Sequence, residues 1–385
     1  MNFDFDSIVD RTTTPSIKWQ RYGKDVLPMW VADMDFRSPE PVVQALQARI
    51  AHGIFGYEQS PPNLREVIVA RLQALYQWTV APEAITFLPG VVPAFNMAVQ
   101  ALVDADGALL VQTPVYPPIL HAAETAGVRS HAMALTRGAD GRYTIDFDRF
   151  ADQADGTQMF LLCNPHNPVG RVFTQAELTR MAEICLQNDM LICSDEIHGD
   201  LIYSGHQHRP IASLSPEVAA HTITLMAPSK TFNIAGLHAS FAVIPDADVR
   251  KRFKAARRGM LGSVNALGHT AALAAYQEGQ PWLDALLRYL EANRDFLLDY
   301  VAHNLPGLRV AAPEGTFLAW IDCRDAGIPG NPHQFFLQHA HVVLNDGATF
   351  GEDGTGFVRL NFGCPRAMLT DGLERMRNAL HHKTV

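Results

Sequence analysis

The sequence predicts an α/β protein with a mostly parallel central sheet in a large domain, followed by a smaller α+β domain. Two observations support this prediction. From about residue 84, short and nearly continuous apolar runs alternate with stretches of helical periodicity, which is typical of parallel strands covered on both faces by helices. From about residue 264, long helical stretches are followed by shorter strand patterns. The 385 residues, of which 48% are hydrophobic and 18% charged, are enough for two domains with their own cores.

Six apolar runs are the predicted strands of the central sheet. In chain order they are AITFL (84–88), ALLVQ (108–112), MFLLC (159–163), MLICS (190–194), TITLMA (222–227) and ASFAVI (239–244). Between two of them, residues 174–188 repeat apolar side chains at helical spacing behind Thr174, which favours the N-cap position. Ahead of the first run, residues 60–78 place Leu, Val and Ile side chains on one helical stripe. We therefore predict a sheet flanked by amphipathic helices.

The smaller domain is predicted from the C-terminal part of the chain. Helical patterns over 264–278 and 281–303 are followed by LRVAA, TFLAWID, a helix near 332–341, FVRLNF and a terminal helix from residue 366. The expected boundaries are 41–275 for the large domain, and 1–40 together with 276–385 for the small domain. Because no low-complexity tract separates these regions, we expect the domains to share a long helix instead of a flexible linker.

The composition narrows the classes of partner. A formal net charge of −9 argues against a nucleic acid partner. The first residues are acidic and no apolar run approaches the length of a membrane span, so we expect a cytoplasmic protein without a membrane partner. The five cysteines form no C-x-x-C pair, which favours reduced, buried thiols. The close histidine pairs lack the spacing of metal ligands, so we expect no metal site.

Polar residues follow the predicted strands, at the sheet edge where α/β proteins bind ligands. The segments that follow five of the runs are PGVVPAF, TPVYPP, NPHNPVG, DEIHGD and PSKTFN. Together they offer a helix N-terminus for an anion, an aromatic plane, an amide, a carboxylate and a lysine. The chain has neither the G-x-G-x-x-G of nicotinamide binding nor the G-x-x-x-x-G-K-[ST] of nucleotide triphosphate binding. Pyridoxal 5'-phosphate (PLP) matches this set of groups, because it needs a lysine, an acid at its pyridine nitrogen and a phosphate cup.

Several motifs resemble those of a known family. NPHNPVG, SDEIH and SKTFNIAGL, in this order, resemble fold-type I PLP enzymes of the class I/II aminotransferase superfamily. The opening LPMWVADMDF (27–36), and DEIH where most members have a tyrosine in place of the histidine, are similar to the PatB/MalY-type cystathionine β-lyase branch. The similarity extends from about residue 2 to about residue 380.

The resemblance implies roles for the residues around the cofactor ring. Lys230 is the lysine that forms the Schiff base with PLP and then removes the Cα proton of the substrate. Asp195 pairs with the protonated pyridine nitrogen, and Asn167 donates to the ring 3'-oxygen and lies near the substrate carboxylate. Tyr116 stacks on the ring and moves a proton between the substrate amine and the leaving sulfur. His198 stands where the superfamily usually has a tyrosine that binds the 3'-oxygen, and a purely structural role is the alternative.

The phosphate site departs from the superfamily pattern. The phosphate is expected at the main-chain amides of residues 90–92, which are Gly90, Val91 and Val92. Superfamily members often have Ser or Thr three residues before the lysine and Arg eight residues after it, both on the phosphate. This chain has Ala227 and His238 at those positions. Ser229 and His238 are therefore expected to contribute more to phosphate binding.

Three further residues are implied by the resemblance. Arg359 in FVRLNFG matches the clamp of the substrate carboxylate. Trp30 is expected to line the substrate site together with Asn167. Tyr57 in FGYEQS matches the position from which fold-type I enzymes reach the phosphate of a neighbouring subunit, which implies a homodimer with shared active sites. An ordinary turn tyrosine is the alternative for Tyr57.

The branch motifs favour a PLP-dependent carbon–sulfur β-lyase. Its expected substrate is L-cystathionine or a related cysteine S-conjugate, cleaved by α,β-elimination to a thiol such as homocysteine, pyruvate and ammonia. A class I/II aminotransferase is the alternative, because the fold and the lysine do not select the reaction. A binding or regulatory protein that keeps the cofactor fold without turnover is a second alternative. A serine hydrolase that uses Ser229 is disfavoured, because no G-x-S-x-G surrounds this residue.

Overall fold

The computed structural model describes residues 3–257, 259 and 261–382. Its main feature is a seven-stranded sheet. In spatial order the strands are Ile85–Leu88, Ser240–Val243, Thr222–Met226, Leu191–Asp195, Met159–Cys163, Ala108–Thr113 and Arg129–Ala134. Neighbouring strands run parallel, except that Ser240–Val243 is antiparallel to both of its neighbours. The predicted α/β class with a mostly parallel sheet is confirmed.

One strand of this sheet has no counterpart among the six predicted runs. Arg129–Ala134 pairs in parallel with Ala108–Thr113 and forms an edge of the sheet. Met133 is the residue of this strand that is buried, and most of the others face solvent at least in part. The strand therefore lacks the apolar run that marks a strand covered on both faces.

Helices pack on both faces of the sheet. Alternate strand residues belong to two apolar clusters, as the two-residue period of a strand requires. One cluster includes the helix Val91–Leu102, against which Ala247–Ala255 and Ala122–Ala126 pack. The other includes Gln175–Gln187 and Phe147–Ala154. The further helices of this region are Leu64–Tyr76, Pro117–Leu120, Pro216–Ala220, Pro228–Thr231 and Ala266–Glu278.

The helix Gln175–Gln187 begins with the cap that its sequence predicts. The Thr174 hydroxyl accepts a hydrogen bond from the Glu177 main-chain amide at 3.2 Å, and the Glu177 carboxylate accepts one from the Thr174 amide at 2.8 Å. This reciprocal pair satisfies two amide groups that the first helical turn leaves free. In Leu64–Tyr76 the predicted apolar stripe is buried at its start but ends early, because Leu75 is 42% exposed.

A second sheet lies in the C-terminal part of the chain. It is antiparallel, and its strands are Arg309–Val310, Leu318–Asp322, Phe357–Asn361 and Asn345–Asp346 in spatial order. The long helix Gln280–Asn304 contacts the terminal helix Arg366–His381, and residues of both helices and of the sheet form one apolar cluster. The domain boundaries stay a prediction.

The N-terminal segment joins this C-terminal region. Leu27–Pro28 pairs in parallel with Val342–Val343, and apolar side chains of the segment belong to the same cluster. The remaining α-helices are Ile17–Gln20, Glu40–Ala51 and Pro332–Phe335, and a short π-helix spans Phe336–Ala340. The strands Thr136–Arg137 and Tyr143–Thr144 form a separate pair. The short 3-10 helices are Pro82–Ala84, Ile211–Ser213, Ala235–Leu237, Gly347–Phe350 and Glu352–Gly354. Within the described ranges, no helix has both the length and the apolar character that crossing a membrane requires.

Candidate active site

A cavity of about 530 Å³ opens at the carboxyl ends of the parallel strands. Its wall includes residues that follow the strands, together with residues of the N-terminal segment and of the second sheet. All predicted site residues except Tyr57 lie in this wall: Trp30, Gly90, Val91, Val92, Tyr116, Asn167, Asp195, His198, Ser229, Lys230, His238 and Arg359.

Lys230 lies in the short helix Pro228–Thr231, just after the strand Thr222–Met226. Its Nζ donates a hydrogen bond to the main-chain carbonyl of Ala32 at 2.6 Å. Desolvation, with a smaller contribution from the positive charge of Arg359, lowers the pKa of Lys230 to about 8. A larger fraction of this side chain is therefore an uncharged amine at neutral pH than for a lysine in water.

Asp195 is the last residue of the strand Leu191–Asp195. One carboxylate oxygen accepts a hydrogen bond from the Ile197 main-chain amide at 3.1 Å. Burial raises the pKa of Asp195 to about 7, although the Ile197 amide and the charge of Lys230 oppose this shift. The carboxylate lies in the wall of the same cavity as the lysine. A cation or a protonated nitrogen next to Asp195 would therefore favour its ionised form.

Part of the cavity wall is formed by the start of the helix Val91–Leu102. Gly90 is the N-cap residue, and Val91 and Val92 are the first two helical residues. The amides of a first helical turn have no acceptor within the helix, and the helix dipole favours a negative charge there. Ser229 and His238 line the same cavity, and His238 is exposed with a left-handed backbone at φ 52°.

Arg359 joins the second sheet to two other parts of the cavity wall. Its guanidinium donates to the Asn167 side-chain oxygen at 2.8 Å, to the Asn345 side-chain oxygen at 2.6 Å and to the Trp30 carbonyl at 3.1 Å. Burial lowers the pKa of Arg359 to about 10, which still leaves it cationic at neutral pH. The Tyr116 amide donates to the Asn167 main-chain carbonyl at 3.0 Å, and burial raises the pKa of the Tyr116 phenol.

His198 is buried at the cavity wall. Burial, together with the charges of Lys230 and Arg359, lowers the pKa of His198 to about 3, so its ring is neutral at physiological pH. The ring of His198 packs edge-to-face with the ring of Phe317, and the two ring centroids are 5.8 Å apart. Its Nδ1 atom is buried without a hydrogen-bond partner among the described residues.

Tyr57 lies outside the cavity wall. It is fully exposed, in an irregular segment in which Ile54 and Phe55 are also exposed. Tyr57 therefore does not line the cavity of its own chain. Its predicted contact with the phosphate would require the cavity of a second chain. That role stays a prediction.

Several residues of the wall were not among the predicted ones. They include Ala32, whose carbonyl accepts from Lys230, Asn345, which binds Arg359, and Cys163, whose thiol pKa is raised by burial. Ala32 acts through its main chain, so its side chain gives no signal. Cys163 is the last residue of a predicted strand, one position before the segment that follows it, so the rule that located Asp195 does not include Cys163.

The donor groups of the cavity fit the parts of PLP. An amine, a carboxyl group with a raised pKa and a helix N-terminus surround one space, and His198 lines the same space. With the sheet order described above, these are the features of a fold-type I PLP enzyme. The family model for aminotransferase class I and II matches residues 24–376, and the chain belongs to this family.

Three relatives illustrate the similarity. Cystathionine β-lyase PatB of Bacillus subtilis (strain 168) is 42% identical, over 98% of this chain and 100% of its own length. The crystal structure of cystalysin from Treponema denticola, which contains PLP, has a TM-score of 0.95 and 32% identity and covers 100% of both chains. The PLP-bound C–S lyase from Staphylococcus hominis has a TM-score of 0.93 and 32% identity, also over 100% of both chains.

Proposed function

We propose that this chain is a PLP-dependent carbon–sulfur β-lyase that cleaves L-cystathionine or a related cysteine S-conjugate. The observation that supports the cofactor is the arrangement of Lys230, Asp195 and the start of the helix Val91–Leu102 around one cavity. The similarity to PatB, a cystathionine β-lyase, and to the Staphylococcus hominis C–S lyase supports elimination over transamination.

The cofactor would be held at three points. The amides of residues 90–92, with Ser229 and His238, would bind its phosphate, and Asp195 would accept the proton of its pyridine nitrogen. His198, which lines the cavity, would bind the ring 3'-oxygen through its imidazole. When bound, PLP supplies an electron-poor ring that accepts the electron pair left on Cα.

The substrate would be oriented by its carboxylate. Arg359 presents a planar fork whose donors are already fixed by Asn167, Asn345 and the Trp30 carbonyl. A guanidinium binds a carboxylate through two parallel hydrogen bonds. Because both Nη2 hydrogens already have acceptors, the substrate carboxylate would replace the Asn345 oxygen or the Trp30 carbonyl. This contact would direct Cα and its proton toward Lys230.

Two side chains would move protons. The Lys230 Nζ takes the Cα proton, because its lowered pKa leaves part of it as a free amine. The Cβ–S bond then breaks with its electron pair on sulfur. The Tyr116 phenol, which stays protonated because burial raises its pKa, donates the proton that completes the thiol. Addition of one water to the three-carbon remainder gives pyruvate and ammonia.

The protein would act as a homodimer with shared active sites. Tyr57 lies on an exposed, partly apolar segment of one chain, and association of a second copy there would cover this surface and bring Tyr57 to the partner's phosphate site. The predicted cytoplasmic location likewise stays a prediction.

The reaction is tested with purified protein that has been incubated with PLP. L-cystathionine is added without any keto acid, and pyruvate and free thiol are measured. We expect both products in equal amounts, loss of both in Lys230→Ala, and no loss in Lys251→Ala, which removes an exposed lysine. Strict dependence on an added keto acid would instead support the aminotransferase. Borohydride reduction followed by peptide mapping should place the cofactor on Lys230, and a different lysine would contradict the assignment.

A further inference from the structure

Residues 30–32 form a part of the cavity wall that makes hydrogen bonds through its main chain. The Trp30 carbonyl accepts from Arg359 at 3.1 Å, and the Ala32 carbonyl accepts from Lys230 at 2.6 Å. The carbonyls on either side of Ala32, those of Val31 and Asp33, both accept from the Asn361 side-chain amide, at 2.6 and 2.7 Å. A single buried side chain therefore fixes both neighbours of the carbonyl that binds the lysine.

Asn361 is itself held rigidly. It is 1% exposed and lies at the end of the strand Phe357–Asn361, two residues after Arg359. The side-chain oxygen of Asn361 accepts from the Gly363 main-chain amide at 2.8 Å, and the main-chain amide of Asn361 donates to the Met29 carbonyl at 2.9 Å. The same strand thus supplies Arg359, which lines the cavity, and Asn361, which holds the carbonyls of Val31 and Asp33.

We infer that the Ala32 carbonyl holds the Lys230 amine whenever this amine is not bound to the cofactor, and that Asn361 is the positioning residue that fixes this carbonyl. The inference rests on the proposed function, in which the substrate amine displaces Lys230 and the freed lysine must stay close to Cα. Without a fixed acceptor, the long side chain would lose this orientation through its several rotatable bonds.

The charges around Lys230 do not depend on Asn361. Arg359 faces the amine from the second sheet, Asp33 and Lys18 face it from the N-terminal segment, and Asp195 faces it from the parallel sheet. After burial, which has the largest effect, Arg359 and Lys18 lower the pKa of Lys230, and Asp33 and Asp195 raise it. Removing the uncharged Asn361 amide changes no charge. Asp33 keeps two further contacts, because its carboxylate pairs with Arg11 at 2.6 Å and its carbonyl accepts from Lys18 at 3.1 Å. A change in the pKa of Lys230 therefore reports the Ala32 carbonyl.

The experiment uses the full chain without cofactor, so it does not depend on turnover. An amine-specific reagent is applied in short pulses across a pH series, and the labelled Lys230 peptide is measured by mass spectrometry. A carbonyl that accepts from the ammonium form stabilises that form, so its displacement lowers the pKa. We expect Asn361→Ala to lower the labelling midpoint by about one pH unit.

A matched control separates this effect from general loosening. Thr157 is also buried, its hydroxyl donates to the Gln153 carbonyl at 2.7 Å, and it lies outside the cavity wall. Thr157→Ala should leave the Lys230 midpoint unchanged. If Asn361→Ala does not fold, Asn361→Ser, whose hydroxyl can keep one donor, should give a smaller shift in the same direction. No shift, an upward shift, or an equal shift in the Thr157 variant would overturn the inference.

The loaded enzyme gives a second readout. Asn361→Ala should lower kcat more than it changes KM, because the lysine acts after the substrate has bound. If wild-type protein binds no PLP, the proposed function fails, while the labelling midpoints still decide whether Asn361 positions the carbonyl.

Discussion

Arg359 and Asn167 form a hydrogen bond of 2.8 Å between the second sheet and the loop after the strand Met159–Cys163. The bond joins two parts of the cavity wall that are distant in sequence. It also fixes the guanidinium at the place where we expect the substrate carboxylate. The pair therefore fixes the orientation of the Arg359 guanidinium in the cavity wall.

Replacing Arg359 tests the carboxylate clamp. Arg359→Lys keeps a positive charge but loses the planar fork, so we expect KM for L-cystathionine to rise about tenfold or more. Steady-state kinetics measure this change. Arg324→Lys is the control, because Arg324 pairs with Asp322 outside the cavity wall. An equal rise in both variants would contradict the clamp.

Asp195 gives a prediction for stability against pH. Its pKa is about 7 in the folded chain against 3.8 in the reference state, so between these values the folded state binds more protons than the unfolded state. Stability from this residue is therefore present at low pH and is lost as the pH rises through about 7. Relative to Asp195→Asn, the cofactor-free wild type should lose up to about 4 kcal/mol between pH 4 and pH 8.

Denaturant unfolding at several pH values measures this difference, since both proteins share all other titrating groups. If the difference in the free energy of unfolding between wild type and Asp195→Asn does not change with pH, the raised pKa of Asp195 is refuted. Added PLP should reduce the loss in the wild type, because a protonated ring nitrogen would stabilise the ionised form of Asp195.

His198 is tested with two substitutions that differ in one polar atom. His198→Phe keeps a ring against Phe317 but removes the donor, whereas His198→Tyr restores a hydroxyl. We expect the Kd for PLP to rise about fivefold to tenfold in the first variant and to stay near the wild-type value in the second. Equal affinity in all three proteins would assign His198 a structural role.

Tyr57 is tested by mixing two inactive variants. In a dimer formed from one Tyr57→Ala chain and one Lys230→Ala chain, one site has both residues intact only if Tyr57 acts across the interface. Because half of the dimers are mixed and each has one intact site, activity should recover to about a quarter of the wild-type value. The subunits are unfolded and refolded together, and activity is followed against the separately refolded variants. Absence of recovery would place Tyr57 and Lys230 in the same site of one chain or remove Tyr57 from the site.

The parallel sheet and most of the cavity wall could be predicted from the sequence because both depend on local patterns. A strand covered on both faces must be apolar, so runs such as MFLLC are visible without any knowledge of their partners. The residues after such strands share one edge of the sheet, which is why Asp195 and Lys230 could be placed together. The edge strand Arg129–Ala134 lacked this pattern because much of it faces solvent.

The main-chain hydrogen bonds of wall residues 30–32 could not be predicted in the same way. The contacts of these residues with Lys230, Arg359 and Asn361 use main-chain carbonyls, which every residue has. The partners are also far apart in sequence, so no spacing rule connects them. Only the folded arrangement of the second sheet shows which carbonyls face the cavity.

The parallel pairing of Leu27–Pro28 with Val342–Val343 has a consequence for biosynthesis. A ribosome makes the first of these strands near the start of translation and the second near its end. Until Val342–Val343 has been made, Leu27–Pro28 has no partner strand, and the segment that follows it is not held beside Lys230 by this pairing. A nascent or prematurely terminated polypeptide therefore has an open, unfinished pocket, and vitamin B6 can be captured in its final geometry only after synthesis is nearly complete.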